Sequence, residues 1–175
     1  MTSVKLRALT MNDLPLTLKW HNQPDIVDMY SSHPFPVNQE MESKWYERIL
    51  TSNIPATVFG IETTDDQKLV GITVLKDINF IHRSAETAIY IGDLEARGKG
   101  FSSEALQMTI GFAFENLGLN RVWLKVRSDN VVALSLYRKL GFIEEGRLRQ
   151  CVYQHGKFYD RIVLSILREE YEITR

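Results

Sequence analysis

Arg97-Gly98-Lys99-Gly100-Phe101-Ser102, set between a β-rich run ending at Ile91 and an amphipathic run that follows, decides how the rest of the chain is read. Two glycines let main-chain amides come close to a ligand, and the helix that follows turns free N–H groups and a partial positive charge toward the same spot. Arg97 and Lys99 add charge. The guest this selects is an anion, most naturally a phosphate or pyrophosphate. Two phosphate fingerprints fail here. A P-loop needs Gly where Asp93 stands and Ser or Thr where Gly100 stands. A dinucleotide fingerprint starting at Gly98 needs Gly or Ala at Ser103 and an acid near Asn120.

Working outward, hydrophobic periodicity gives the order of elements. Val4, Leu6 and Leu9 mark a first strand. Thr10 or Asn12 caps a helix carrying Leu14, Leu16, Leu18 and Trp20, with Pro15 tolerated in its first turn. Pro24, Pro34 and Pro36 punctuate the next stretch. Asn38 or Gln39 then opens a helix whose apolar stripe is Met41, Trp45, Ile49 and Leu50, ending before Pro55. Thr57 to Thr63 and Lys68 to Leu75 read as a hairpin around Asp65-Asp66-Gln67-Lys68. Ala85 to Ile91 is a further strand, and Ser102 to Asn116 a helix stopped by Gly118. Arg121 to Val126 alternates as a strand, and Val131 to Leu140 is a helix stopped by Gly141. Ile143 to Tyr153 and Arg161 to Leu167 are strands hinged at His155-Gly156. The expected fold class is α+β, one domain over 1–175, with a mixed, mostly antiparallel sheet of about seven strands flanked by helices.

Composition narrows the function. The 175 residues are 44% hydrophobic and 25% charged, the profile of a globular chain. Twenty-one Lys and Arg against 22 Asp and Glu give a net charge of -1, which offers no support for nucleic-acid binding. The longest charge-free run, Ile49 to Ile61, is too short to cross a bilayer and holds Asn53 and Pro55, so no membrane span is expected. Cys151 is the single cysteine, and His21, His33, His82 and His155 lack metal-ligand spacing. The histidines read as ordinary surface or packing residues, no metal is expected, and a cytoplasmic setting is the default.

The second informative stretch is Asn130-Val131-Val132-Ala133-Leu134-Ser135-Leu136-Tyr137-Arg138-Lys139-Leu140-Gly141-Phe142. With the glycine turn it resembles the GNAT family of acetyl-CoA-dependent N-acetyltransferases. The turn is similar to that family's R/Q-x-x-G-x-G/A loop, with Ser102 in place of the last Gly or Ala, and the later stretch is similar to its N-x-x-A-x-x-L-Y-x-K-x-G-F helix. Arg7-Ala8-Leu9, Trp20-His21-Asn22, the strand from Glu86 to Gly92 and Gly156-Lys157-Phe158-Tyr159-Asp160 resemble the RimJ/RimL-like branch.

The resemblance implies acetyl-CoA as cosubstrate and direct transfer to a primary amine, without an acyl-enzyme. The amides of Arg97, Gly98, Lys99, Gly100, Phe101 and Ser102 would hold the pyrophosphate. Ile89, Tyr90 and Ile91 would pair their backbone with the pantetheine arm. Asn130 would bond the pantetheine region, Ala133 stands in the same motif, and Arg138 or Lys139 would lie near the adenosine phosphates. The chemistry asks for an oxyanion donor, met by an amide of the 89–91 strand, and for an acid to protonate the leaving thiolate, met by Tyr137. Glu86 is the expected base, acting through water. Trp20, Trp45 and Tyr46 sit on the early helices, where the resemblance implies the acceptor pocket; Trp20 and Trp45 are read as core before that, and Cys151 is no nucleophile. The lead acceptor is a protein N-terminal amine of the ribosomal-protein type. A polyamine, amino-sugar or aminoglycoside-type amine is the alternative; no acidic cluster stands out in the early helices, although Asp25, Asp28, Glu40, Glu42 and Glu47 could form one in space. A non-catalytic acyl-CoA-binding module is the rival from another class, opposed by intact Tyr137, Asn130 and both loop glycines. The sequence leaves the oligomeric state open, a homodimer included.

Overall fold

The computed structural model describes residues 3–30, 35–51 and 57–173, so His33, Pro34, Asn53 and Pro55 lie outside the described residues, as does the side chain of Leu50. The hairpin expected around Asp65-Asp66 forms from β2 (Thr57–Thr63) and β3 (Leu69–Asn79). Its turn is closed by the Thr63 hydroxyl, which accepts from the Lys68 amide at 2.9 Å, and Gln67 takes a φ of 55°. β1 (Val4–Arg7), β4 (Ser84–Ile91), β5 (Arg121–Arg127), β6 (Ile143–Gln154) and β7 (Lys157–Leu167) complete one seven-stranded sheet in the order β1-β2-β3-β4-β5-β7-β6. Every pairing is antiparallel except β4 with β5. The α+β expectation and the strand count hold.

Helices cover both faces. α1 (Leu14–His21), α2 (Pro24–Tyr30) and α3 (Gln39–Thr51) lie on one side; α4 (Phe101–Gly111) and α5 (Val131–Lys139) follow the two motifs, and α6 (Arg168–Ile173) ends the described chain. β4 alternates between the two faces, so Ala85, Thr87, Ile89 and Ile91 are buried while Ser84, Glu86, Ala88 and Tyr90 are half-buried. The larger core joins Ala85, Ile89 and Ile91 to Leu106, Ile110 and Phe114 of the α4 side. A smaller one gathers Leu9, Trp20, Ile26, Tyr46, Leu69 and Ile72 under the early helices.

Three local readings change. Asp13 caps α1, while Thr10 caps a short 3-10 turn before it and bonds Asp13 through its amide at 2.7 Å. The helix begun at Phe101 widens into a π turn over Phe112–Asn116, where the Arg168 guanidinium takes the Phe114 carbonyl. On α3 the inward face is Glu42 and Tyr46, with Met41 40% exposed, because that face meets polar groups: Tyr46 donates to the Leu9 carbonyl at 3.1 Å and Glu42 meets α1.

β4 and β5 stay together only at Ser84–Arg121, Ala85–Val122 and Glu86–Trp123. Beyond these, β4 remains bound to β3 as far as Gly71–Ile91, and β5 to β7 as far as Arg127–Arg161. A wedge therefore opens in the middle of the sheet. Gly92 N–H donates to the Val70 carbonyl at 2.9 Å. In an antiparallel ladder this phase turns the even-numbered backbone of β4 toward β3 and the odd-numbered backbone toward the wedge. Thr87, Ile89 and Ile91 thus present amide and carbonyl groups to the gap. The Ile91 carbonyl accepts from Arg97 Nε at 3.0 Å.

Candidate active site

The wedge ends at the glycine turn. Gly98 and Gly100 have φ of 76° and 85°, a region that costs ordinary side chains energy, and a Cβ on either would meet no protein atom within 4 Å. The glycines are required by backbone shape and leave open space above it. Gly100 sits at the N-cap of α4 and brings no side-chain cap; the amides of Ser103 and Glu104 return to its carbonyl at 2.9 and 3.3 Å. The amides ahead of them face outward with the positive end of the helix. Arg97 does not add its charge freely: its guanidinium is tied to Asp25 of α2 as well as to the Ile91 carbonyl, which fastens the turn to the sheet. Lys99 is exposed.

The deep end of the wedge is a narrow cleft of about 110 Å³ lined by Glu86, Thr87, Ala88, Arg127, Asn130, Ala133 and Tyr137, among others. The two expected chemical groups, Glu86 and Tyr137, are therefore brought into one cleft from two elements. Tyr137 is 4% exposed and packs edge-on against Phe142, ring centres 5.6 Å apart. Glu86 lies 3.4 Å from Lys76 Nζ. Asn130 accepts the Ala133 amide at 3.1 Å and so caps α5 while lining the cleft. The helix bearing Tyr137 is anchored at its start by that cap.

Arg127, absent from the sequence reading, forms part of the wall. It is paired with Asp129 through two contacts of 2.7 and 2.9 Å, reaches Gln154 at 2.6 Å and stacks 4.2 Å over the Tyr159 ring. Those hydrogen bonds with Asp129 raise the pKa of Arg127 and hold the Asp129 carboxyl below its usual range. A buried arginine at a strand end has no periodic signature, so sequence pattern could not single it out. Lys139 lines a separate hollow with Gln107, Met108, Glu115 and Asn116. Arg138 pairs with Glu144 at 3.2 Å.

A second hollow, about 370 Å³, adjoins the cleft, sharing Lys76 and Ala88 with it, and is lined mainly by His21, Trp45, Val58, Ile72 and Tyr90, with Arg48 at its wall. Here His21 is held through both ring nitrogens. His21 Nδ1 is 2.8 Å from Glu42 Oε2, and His21 Nε2 is 3.0 Å from the Tyr90 hydroxyl. The even-numbered backbone of Tyr90 faces β3, not the wedge, and its side chain lines the hollow. Trp20 is core, 1% exposed, and its ring fills the space beside Gly92 so closely that a Cβ there would stand 2.0 Å from it. Trp45 lines the hollow and packs edge-on to His21 at 5.0 Å. Among the described residues no helix is long and apolar enough to cross a membrane.

Comparison with known proteins agrees with this geometry. The family model for the acetyltransferase (GNAT) domain matches residues 3–143. A spermidine N(1)-acetyltransferase of Vibrio cholerae is 33% identical over 171 residues, covering 97% of this chain and 96% of that protein. The crystal structure of spermidine N-acetyltransferase from Vibrio cholerae in complex with CoA and spermine superposes with a TM-score of 0.90 at 30% identity, over 97% of this chain and 98% of the other. A putative ribosomal N-acetyltransferase of Bacillus subtilis is 34% identical over 107 residues, 61% of this chain and 58% of that one. With a sheet that parts between its central strands and a glycine turn at the mouth of the gap, the chain belongs to the GNAT family, as an acetyl-CoA-dependent N-acetyltransferase.

Proposed function

We propose that the acceptor is the primary amine of a small, slender polyamine-type molecule, taken into the second hollow, and that the protein N-terminus is the weaker candidate. The carrying observation is end-to-end similarity to spermidine acetyltransferases, against a ribosomal-type relative matched over only 61% of the chain. The same balance gives the RimJ/RimL-like branch less weight. A hollow of about 370 Å³ with apolar walls supports an alkyl amine over a folded polypeptide.

In this reading the outward amides of residues 98–102 hold the pyrophosphate of acetyl-CoA, and the pantetheine arm lies along Thr87, Ile89 and Ile91 as an added strand. The thioester then sits near Ala88, where the two hollows join. The amine attacks the carbonyl carbon, and an odd-numbered amide of β4 donates to the oxyanion. The carbon–sulfur bond breaks, and Tyr137 gives its proton to the thiolate. Packed against Phe142 and carried on a capped helix, Tyr137 has a fixed ring. Asn130 lines the arm, and Glu86 draws the ammonium toward the junction through water. A second reading rests on Arg48 and Lys76, two cations at the hollow that favour an amine carrying an anionic group. Thiol release with acetyl-CoA and a panel of spermidine, spermine, putrescine, free amino acids and short peptides, with products identified by mass spectrometry, separates these. Spermidine turnover at least about tenfold above every other class, a gap of 1.4 kcal/mol, is expected. Preference for amino acids or peptide N-termini overturns the polyamine assignment.

A further inference from the structure

The acceptor side holds a chain of polar atoms that the transfer chemistry above does not use. Glu42 is 1% exposed, yet both of its oxygens are engaged by α1: one accepts from the Thr17 hydroxyl, the other faces His21 Nδ1 at 2.8 Å. A buried carboxylate is tolerated only with such partners. His21 Nε2 then meets the Tyr90 hydroxyl at 3.0 Å, and both His21 and Tyr90 line the hollow beside Ala88. Burial, with the charge of Glu42 adding to it, pushes the Tyr90 hydroxyl above the usual phenol range, so it remains a donor. With His21 neutral, Nδ1–H donating to Glu42 leaves Nε2 to accept from the Tyr90 O–H.

We propose that the acceptor amine loses its proton through the Tyr90 hydroxyl to His21, which Glu42 orients and backs. This rests on the second hollow being the amine site. One ammonium N–H bond breaks as Tyr90 Oη gains that proton, and the proton Tyr90 already held passes to Nε2. A neutral amine with a free lone pair remains, beside an imidazolium whose charge faces Glu42. His21, with 22% of its side chain exposed, later returns the proton to solvent. Tyr90 is the catalytic residue of this relay, and His21 and Glu42 are its positioning residues. Glu86 is worse placed, because it lines the cleft and not the second hollow. The other charged groups lining the hollow are Arg48 from α3 and Lys76 from β3.

The test is kcat/KM against pH for wild type, His21→Asn, Tyr90→Phe and Glu86→Gln, with CoA affinity measured alongside. His21→Asn and Tyr90→Phe are expected to lose about 10² in kcat/KM near neutrality. Their acid limb should move up to the acceptor's own ionisation, with the Kd for CoA unchanged within about twofold. Glu86→Gln should keep the wild-type limb. Tyr90→Phe preserves the ring packing, so it decides the matter if His21→Asn fails to fold. Unmoved limbs in both relay variants, or a limb moved only by Glu86→Gln, overturn the relay. If wild type binds CoA but acetylates no amine in the panel, the acceptor reading fails separately, and 15N spectra of the histidine rings, assigned by loss of a signal in His21→Asn, judge the relay. A neutral His21 protonated on Nδ1 upholds it, and one protonated on Nε2 overturns it.

Discussion

Replacing Gly100 by alanine separates what the glycine turn does for the fold from what it does for the cosubstrate. At a φ of 85° with no protein atom within 4 Å of the new Cβ, the folded chain suffers only the conformational strain. That strain is about 1–2 kcal/mol for an L-residue in the left-handed region. About 0.4–1 kcal/mol is offset because alanine also restricts the unfolded chain. The net loss is about 1 kcal/mol, a fall in Tm of about 2–4 °C for a chain of this length. Binding should suffer more. The Cβ projects into the space through which a diphosphate approaches, and each main-chain bond lost to a charged oxygen is worth about 1.5–3 kcal/mol. One such loss weakens CoA by about 10- to 100-fold. Thermal unfolding and calorimetric titration of CoA measure the two effects on the same sample. A Tm drop of the expected size with CoA affinity within threefold of wild type would refute the placement of the diphosphate at this turn.

Other outcomes follow from the same geometry. Tyr137→Phe keeps the edge-on contact with Phe142 and removes only the hydroxyl, so kcat should fall about 10²-fold with the KM for acetyl-CoA nearly unchanged, as steady-state kinetics will show. Gly92→Ala is the structural counterpart of Gly100→Ala: its Cβ would stand 2.0 Å from the buried Trp20 ring, and urea unfolding should show a loss of at least about 3 kcal/mol. Arg7, bonded at 2.8 and 2.9 Å, holds the Asp13 carboxyl below its ordinary 3.8. Its stabilisation is therefore present above that value and lost as pH falls through the depressed one. Asp13→Asn should be less stable than wild type at pH 7, and the difference in urea midpoints should shrink toward pH 3.

The fold was largely legible because its signals are local. Alternation in Val122, Leu124 and Val126, the Asp-Asp turn and the stops at Gly118 and Gly141 each act within a few residues. The glycine turn and the Asn130 helix were legible as a pair only through their resemblance to the GNAT motifs. What escaped depends on distant contact. Glu42 looks like a surface residue of an acidic helix until α1 supplies Thr17 and His21, 25 and 21 residues earlier. His21 sits in no metal-like or triad-like spacing, and its partner on β4 is 69 residues away. The stripe expected on α3 followed hydrophobicity, whereas the helix turned to satisfy a buried carboxylate.

The gap between β4 and β5 gives this sheet its seam in the middle, where most sheets have theirs at the rim. Strands 1 to 4 and 5 to 7 are stitched by three residue pairs at the closed end, and in the proposed binding mode the guest adds further ones. The protein's resistance to unfolding is thereby tied to how much acetyl-CoA surrounds it, rising by about 2.7 kcal/mol at a hundredfold excess over Kd. A cell short of that carrier would hold this enzyme in its loosest form, half-zipped along its own backbone and most open to proteases.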